Sequence, residues 1–173
     1  VALLAALVGY AGMAFLMTVT PLAMSAHHHS FDSAAFVIEW HILAMFAPSF
    51  VTGTLIARWG VLRILIAGTV LFAGSIAVNL SGTGVTQFWL GLVLLGLAWN
   101  FLYVGGTTLL TETYRPSEKA LVQASNDFVV FGTVTFASAM SGVLHNALGW
   151  ATLNLIVVPL VAVTFVAVLW LAA

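Results

Sequence analysis

Six apolar runs separated by short polar links constrain what this chain can fold into. The hydrocarbon core of a bilayer is about 30 Å thick and takes about 20 helical residues to cross. In lipid, a backbone that does not close on itself as a helix or a barrel leaves its polar groups unpaired. The runs fall at about 1–26, 34–57, 61–78, 86–110, 117–144 and 149–172, and each is expected to form one helix. The links have turn chemistry: His27 to Ser33, Arg58 to Arg63, Asn79 to Gly84, Glu112 to Lys119 and His145 to Gly149. Pro116 suits the start of the helix that follows it. The expected class is all-α integral membrane.

Composition agrees with lipid as the solvent. Hydrophobic residues make up 62% of the chain and charged residues 5%, with a mean hydropathy of +1.16, so polar side chains are too few to cover a water-soluble surface. The net charge of -1 comes from scattered single charges, which leaves no basic patch for a nucleic acid to bind. With no cysteine, disulfides, thiol catalysis and cysteine metal sites are excluded. Val1 is preceded by no initiator Met and no charged leader, so the chain is expected to be part of a longer one.

The four basic residues set the orientation. Arg58 and Arg63 lie in the second link and Arg115 and Lys119 in the fourth, and short loops rich in Lys and Arg stay on the cytoplasmic side. The links at 58–63 and 112–119 and both chain ends are therefore expected inside, and the three links without Lys or Arg outside. The sequence also repeats weakly on itself. Thr52, Gly53, Leu55 and Gly60 align with Ser141, Gly142, Leu144 and Gly149, each pair 89 residues apart. This relates residues 1–84 to 85–173 as two three-helix units of opposite topology, the 3+3 inverted repeat that transporters use.

Gly53, Arg58, Gly60 and Arg63 resemble the loop motif of the major facilitator superfamily, with one departure: Ala57 stands where the strong form of the motif has an acid. The stretch from Gly96 through Trp99, Asn100, Tyr103 and Gly106 to Glu112, Arg115 and Pro116 is similar to the tenth and eleventh helices of bacterial members. The resemblance implies the C-terminal six-helix half of a twelve-helix permease or efflux protein in a bacterial inner membrane. It also implies an N-terminal half as partner, a small organic solute, alternating access, no cofactor, and a proton gradient as the energy source. Glu112 with Arg58 or Arg63 is then expected to close the cytoplasmic side as a charge cluster.

Polar residues inside the spans are the candidates for transport, since a charge at mid-membrane costs about 2.5–3.5 kcal/mol on insertion scales. Glu39 and His41 lie in the second run, about 8–11 Å below its outer end. Gln123, Asn126 and Asp127 share one helical face. Asn100, Tyr103 and Thr107 form a stripe on the fourth run, and Asn100 is the expected substrate contact because such sites lie near the midplane. Trp40, Trp99 and Phe101 are read as packing or anchoring residues. Thr133, Ala137 and Ser141 form a small-residue stripe for close helix packing. Adjacent side chains in His27-His28-His29 point apart and have no further ligand, so no metal is expected there.

Two other classes fit less well. Rhomboid-type intramembrane proteases also have six spans, but their Gly-x-Ser-Gly motif is missing around Ser75, Ser81 and Ser141, so no enzyme is expected. A non-transporting membrane receptor or assembly subunit is the alternative to a transporter.

Overall fold

The computed structural model describes residues 1–173, all of them helical apart from short links. The helices are α1 (Ala2–Ala26), α2 (Phe31–Phe46), α3 (Ser49–Trp59), α4 (Val61–Leu80), α5 (Val85–Thr111) and α6 (Lys119–Ala172), with a 3-10 turn at Pro116–Glu118. Pro116 opens that turn, where its missing N–H costs nothing.

Two features depart from the expected spans. The second run is not one straight helix: α2 begins at Phe31, and α2 and α3 meet at Ala47-Pro48 with a bend of 41°. Pro48 has no N–H to offer the preceding turn and its ring crowds the carbonyl four residues back, which breaks a helix. The other departure is at 145–148, expected as an outer link and found helical, so that only Gly149 interrupts α6. At φ 77° and ψ 169°, Gly149 occupies a region open almost only to glycine.

A straight helix of 54 residues would be about 81 Å long, far beyond a bilayer. The break at Gly149 folds it into two arms. Thr133, Phe136, Ala137 and Met140 of the first arm and Ile156, Val157 and Leu160 of the second line one cleft with Leu7 to Phe15 of α1, so both arms lie along α1. Counting α2 with α3 as one bent span, the bundle crosses the membrane six times.

The central helix is α5, which packs against α1, α2 and α4, while α6 packs on α1 and α4. Glycines make the approach of α5 to its neighbours possible. A methyl group on Gly106 would come within 2.8 Å of the Ala6 nitrogen of α1, and one on Gly96 within 2.7 Å of the His41 carbonyl of α2. Membrane helices gain no hydrophobic drive from packing on each other, so backbones brought together by small residues carry the association through van der Waals contact.

Candidate functional site

Polar side chains inside the bundle fall into two groups. The first group is buried and bonded to other helices. Asn100 of α5 is 0% exposed. Its Nδ2 donates to the Met45 carbonyl (2.8 Å) and to Ser49 Oγ (2.6 Å), while Thr52 Oγ1 lies 2.6 Å from its Oδ1. The Thr52 hydroxyl is also 2.8 Å from the Pro48 carbonyl, so its one proton serves both. Asn100 thus grips both sides of the α2–α3 break, supplying partners where Pro48 disrupts the ladder. Asn100, expected as a substrate contact, is thus sealed inside its own bundle in this chain.

His41 is equally buried, with Nδ1 2.7 Å from the Leu92 carbonyl of α5. A carbonyl only accepts, so Nδ1 carries the proton, and Nε2 is left buried without a partner. From the other side of α5, Ser75 Oγ of α4 donates to the neighbouring Gly91 carbonyl at 2.7 Å. Near the histidine-bearing end of the bundle, Asn79 Nδ2 donates to Asn154 Oδ1 (2.9 Å), Asn154 Nδ2 to the Trp150 carbonyl (3.0 Å) and Trp150 Nε1 to the Asn79 carbonyl (3.2 Å). This closed loop ties α4 to the second arm of α6. Thr107 only bonds carbonyls of its own helix, at Tyr103 and Val104.

The second group stands on an open side. Asp127 on the first arm of α6 is exposed, and one of its carboxylate oxygens accepts from Asn126 Nδ2 at 3.2 Å. Asn126 itself is buried and its Oδ1 has no partner. Gln123, expected on the same face, is turned to the link instead, donating to the Tyr114 hydroxyl at 2.7 Å. Glu39 is exposed on α2, directed away from the buried His41.

Beside Asp127 lies a group of aromatic rings drawn from four helices. Trp99 and Tyr103, one turn apart on α5, stack nearly parallel, with centroids 5.5 Å apart and planes at 14°. Tyr10 of α1 meets Trp99, Tyr103 and Phe131 edge-on at 5.5, 5.0 and 5.6 Å, and Phe46 of α2 meets Trp99 edge-on at 5.6 Å. Trp99 is 6% exposed, Tyr10 and Tyr103 are half-buried, and Phe131 and Phe46 are open at 45% and 55%. Asp127 lies one helical turn before Phe131 on the same face of α6. Counted along their helices from Ala2, Thr111 and Lys119, Tyr10, Trp99, Tyr103, Asp127 and Phe131 lie about 12–18 Å in, near the middle of a 30 Å core. Reading the sequence for packing alone missed Tyr10, Phe46 and Phe131. One signal was present: Phe131 follows Asp127 by a single turn, so the two share a face.

The bend and the rings are joined. Phe46 is the last residue of α2, next to Met45 whose carbonyl Asn100 holds, and its ring packs on Trp99, the neighbour of Asn100. A change in the α2–α3 angle therefore moves one ring of the group directly. At the basic end, Arg63 and Glu112 line one shallow hollow with Trp59, Gly60 and Val61, and Arg58 is not part of its lining. Of the expected charge cluster, Arg63 and Glu112 share this hollow. Gly53 lies on the exposed side of α3 with open space around it, and Gly60 forms the turn to α4 at φ 85° and ψ 150°.

Known proteins with related sequences agree on a family. The family model described as Major Facilitator Superfamily matches residues 2–173. A riboflavin transporter, RfnT of Brucella anthropi, is 48% identical over 157 residues, covering 91% of this chain and 39% of its own length. YdeG of Bacillus subtilis, an MFS-type transporter described as uncharacterized, is 34% identical over 146 residues, or 83% of this chain and 34% of its own length. The drug efflux pump JefA of Mycobacterium tuberculosis is 26% identical over 147 residues, 84% of this chain and 29% of its own length. The chain thus spans between a quarter and two fifths of the relatives it matches.

Proposed function

The chain belongs to the major facilitator superfamily, and from that membership we propose that it is the C-terminal part of a secondary active transporter for a small, flat organic solute of the riboflavin kind. The observation that carries this reading is the ring group at mid-bundle, open on one side and flanked by an exposed carboxylate. A relative of 48% identity over most of the chain is a riboflavin transporter, and an isoalloxazine ring is a flat solute that such a wall of rings would accept. Exposure within this one chain is what a cavity between two halves requires, because side chains that meet the solute must face out of their own bundle.

Transport proceeds by alternating access, with this six-helix unit rocking against the N-terminal half around a site near the membrane midplane. The repeat supports that architecture. Gly60 and Gly149, 89 residues apart, adopt closely similar glycine-only conformations, φ 85° with ψ 150° and φ 77° with ψ 169°. Thr52 and Ser141, at the same spacing, are both fully buried. The basic links face the cytoplasm of a bacterial inner membrane, Arg63 and Glu112 form part of the inner gate, and Asp127 carries the coupled proton.

Flux of riboflavin into proteoliposomes containing the full-length protein tests this directly. Uptake that is saturable and accelerated by an imposed proton gradient is expected. No flux under any gradient overturns the reading, and saturable flux indifferent to the gradient overturns the proton coupling alone. Riboflavin binding without flux would make the protein a receptor.

A further inference from the structure

We propose that the open side of the ring group is a stacking subsite for the ring system of the solute, with Tyr103, Phe131 and Phe46 as the faces that select a flat heteroaromatic and Asp127 as the acceptor that fixes its edge. The proposal rests on the transport reading above and assigns the part of the solute that this half recognises.

The geometry supplies both elements of such a site. Trp99 and Tyr103 hold one plane within 14°, and Tyr10 braces both from the side by edge contacts. That brace fixes the parallel pair, so its order is not lost when a ligand arrives. Phe46 and Phe131 stand out from the group, one against Trp99 and the other against Tyr10, each about half exposed. Aromatic pairs gain energy beyond simple burial when rings lie offset-parallel or edge-on, so these rings favour a flat ring over a sugar or polyol of equal size.

The exposed carboxylate at the same place suits a ring edge that carries an N–H group. The Asp127 carboxylate uses one oxygen on Asn126, which leaves lone pairs for a ring N–H. An exposed carboxylate beside the aromatic platform, with no basic side chain among the residues of the group, favours a neutral heteroaromatic over an anion.

Binding of riboflavin to the purified full-length protein is read by quenching of flavin fluorescence, the signature of a ring stacked on Trp or Tyr. Lumichrome, which keeps the fused rings without the ribityl chain, is expected to compete, and ribitol is not. Tyr103→Leu and Phe131→Leu are each expected to weaken riboflavin binding about tenfold, a change of about 1.4 kcal/mol, and to reduce the quenching, while Tyr103→Phe keeps both. Phe131 is half exposed, so its truncation leaves folding intact and the thermal unfolding temperature checks this. Competition by ribitol without lumichrome, or wild-type binding in both leucine variants, overturns the subsite while riboflavin transport by the wild type still stands. A wild-type protein that neither binds nor carries riboflavin overturns the transport reading itself.

Discussion

The bent span α2–α3 and the first arm of α6 stand 89 residues apart, the spacing of the expected repeat, yet one is broken and the other straight. The break at Pro48 corresponds to Ala137, and the amide that secures it, Asn100, corresponds to Ala11. Both the disruption and its remedy are thus present in one unit and absent from the other. Tyr10 and Trp99 also correspond, and they touch each other edge-on, so the line between the units runs through the ring group. At that spacing, a jointed span carries Phe46 and a straight arm carries Asp127 and Phe131.

Moving the joint to the other unit should have the largest effect. Ala137→Pro removes a backbone bond from the straight arm, where no amide like that of Asn100 stands opposite, and is expected to cost about 3 kcal/mol or more. The thermal unfolding temperature in detergent checks this. A variant as stable as the wild type would mean that the arm already tolerates a break. Next comes removal of the suture. Asn100→Ala leaves the Met45 carbonyl and the Ser49 and Thr52 hydroxyls without their shared partner, at about 1–3 kcal/mol. An Asn100→Ala protein of wild-type stability would remove the amide from its role at the bend.

The glycine turns sharpen the comparison from the side of similarity. At Gly60 and Gly149 no atom lies within 4 Å of an added methyl group, so Gly60→Ala and Gly149→Ala report backbone strain alone. Each is expected to cost about 1–3 kcal/mol, and by similar amounts if the two turns are equivalent. A large effect at one turn and none at the other, in the same unfolding measurement, would separate the two units. The smallest effect is expected between Asn79 and Asn154. Their coupling in a double-mutant cycle should fall near 0.6–1.7 kcal/mol, the range for hydrogen bonds between membrane helices.

The number of spans was legible because a bilayer sets the length of an apolar run, and a charge or turn residue marks each link. Gly60 and Gly149 were legible as a pair because a conformation closed to other residues preserves glycine at a fixed spacing. The orientation of side chains around each helix was not legible. Asn100, Tyr103 and Thr107 form one stripe in sequence, but Asn100 points to the bend, Tyr103 stacks on Trp99 and Thr107 bonds its own helix. In a helix apolar on every side, hydrophobic periodicity cannot separate the core from lipid or from a cavity. Pro48 was the available clue to the bend, since a proline within an apolar run marks either a kink or a span's end. The helix through His145–Leu148 was hidden because Asn and His at a membrane surface are as compatible with a last helical turn as with a link.

The central distinction is between amides sealed inside the bundle, which hold it together, and the carboxylate and rings on its open side, which we propose meet the solute. The initial rate of riboflavin entry into proteoliposomes, per folded full-length protein, compares Asp127→Asn with Asn154→Ala. A fall of about tenfold for Asp127→Asn at unchanged unfolding temperature, a barrier change of about 1.4 kcal/mol, with Asn154→Ala within about twofold of wild type, is the predicted result. Wild-type flux in Asp127→Asn, or an equal loss in both, would contradict it.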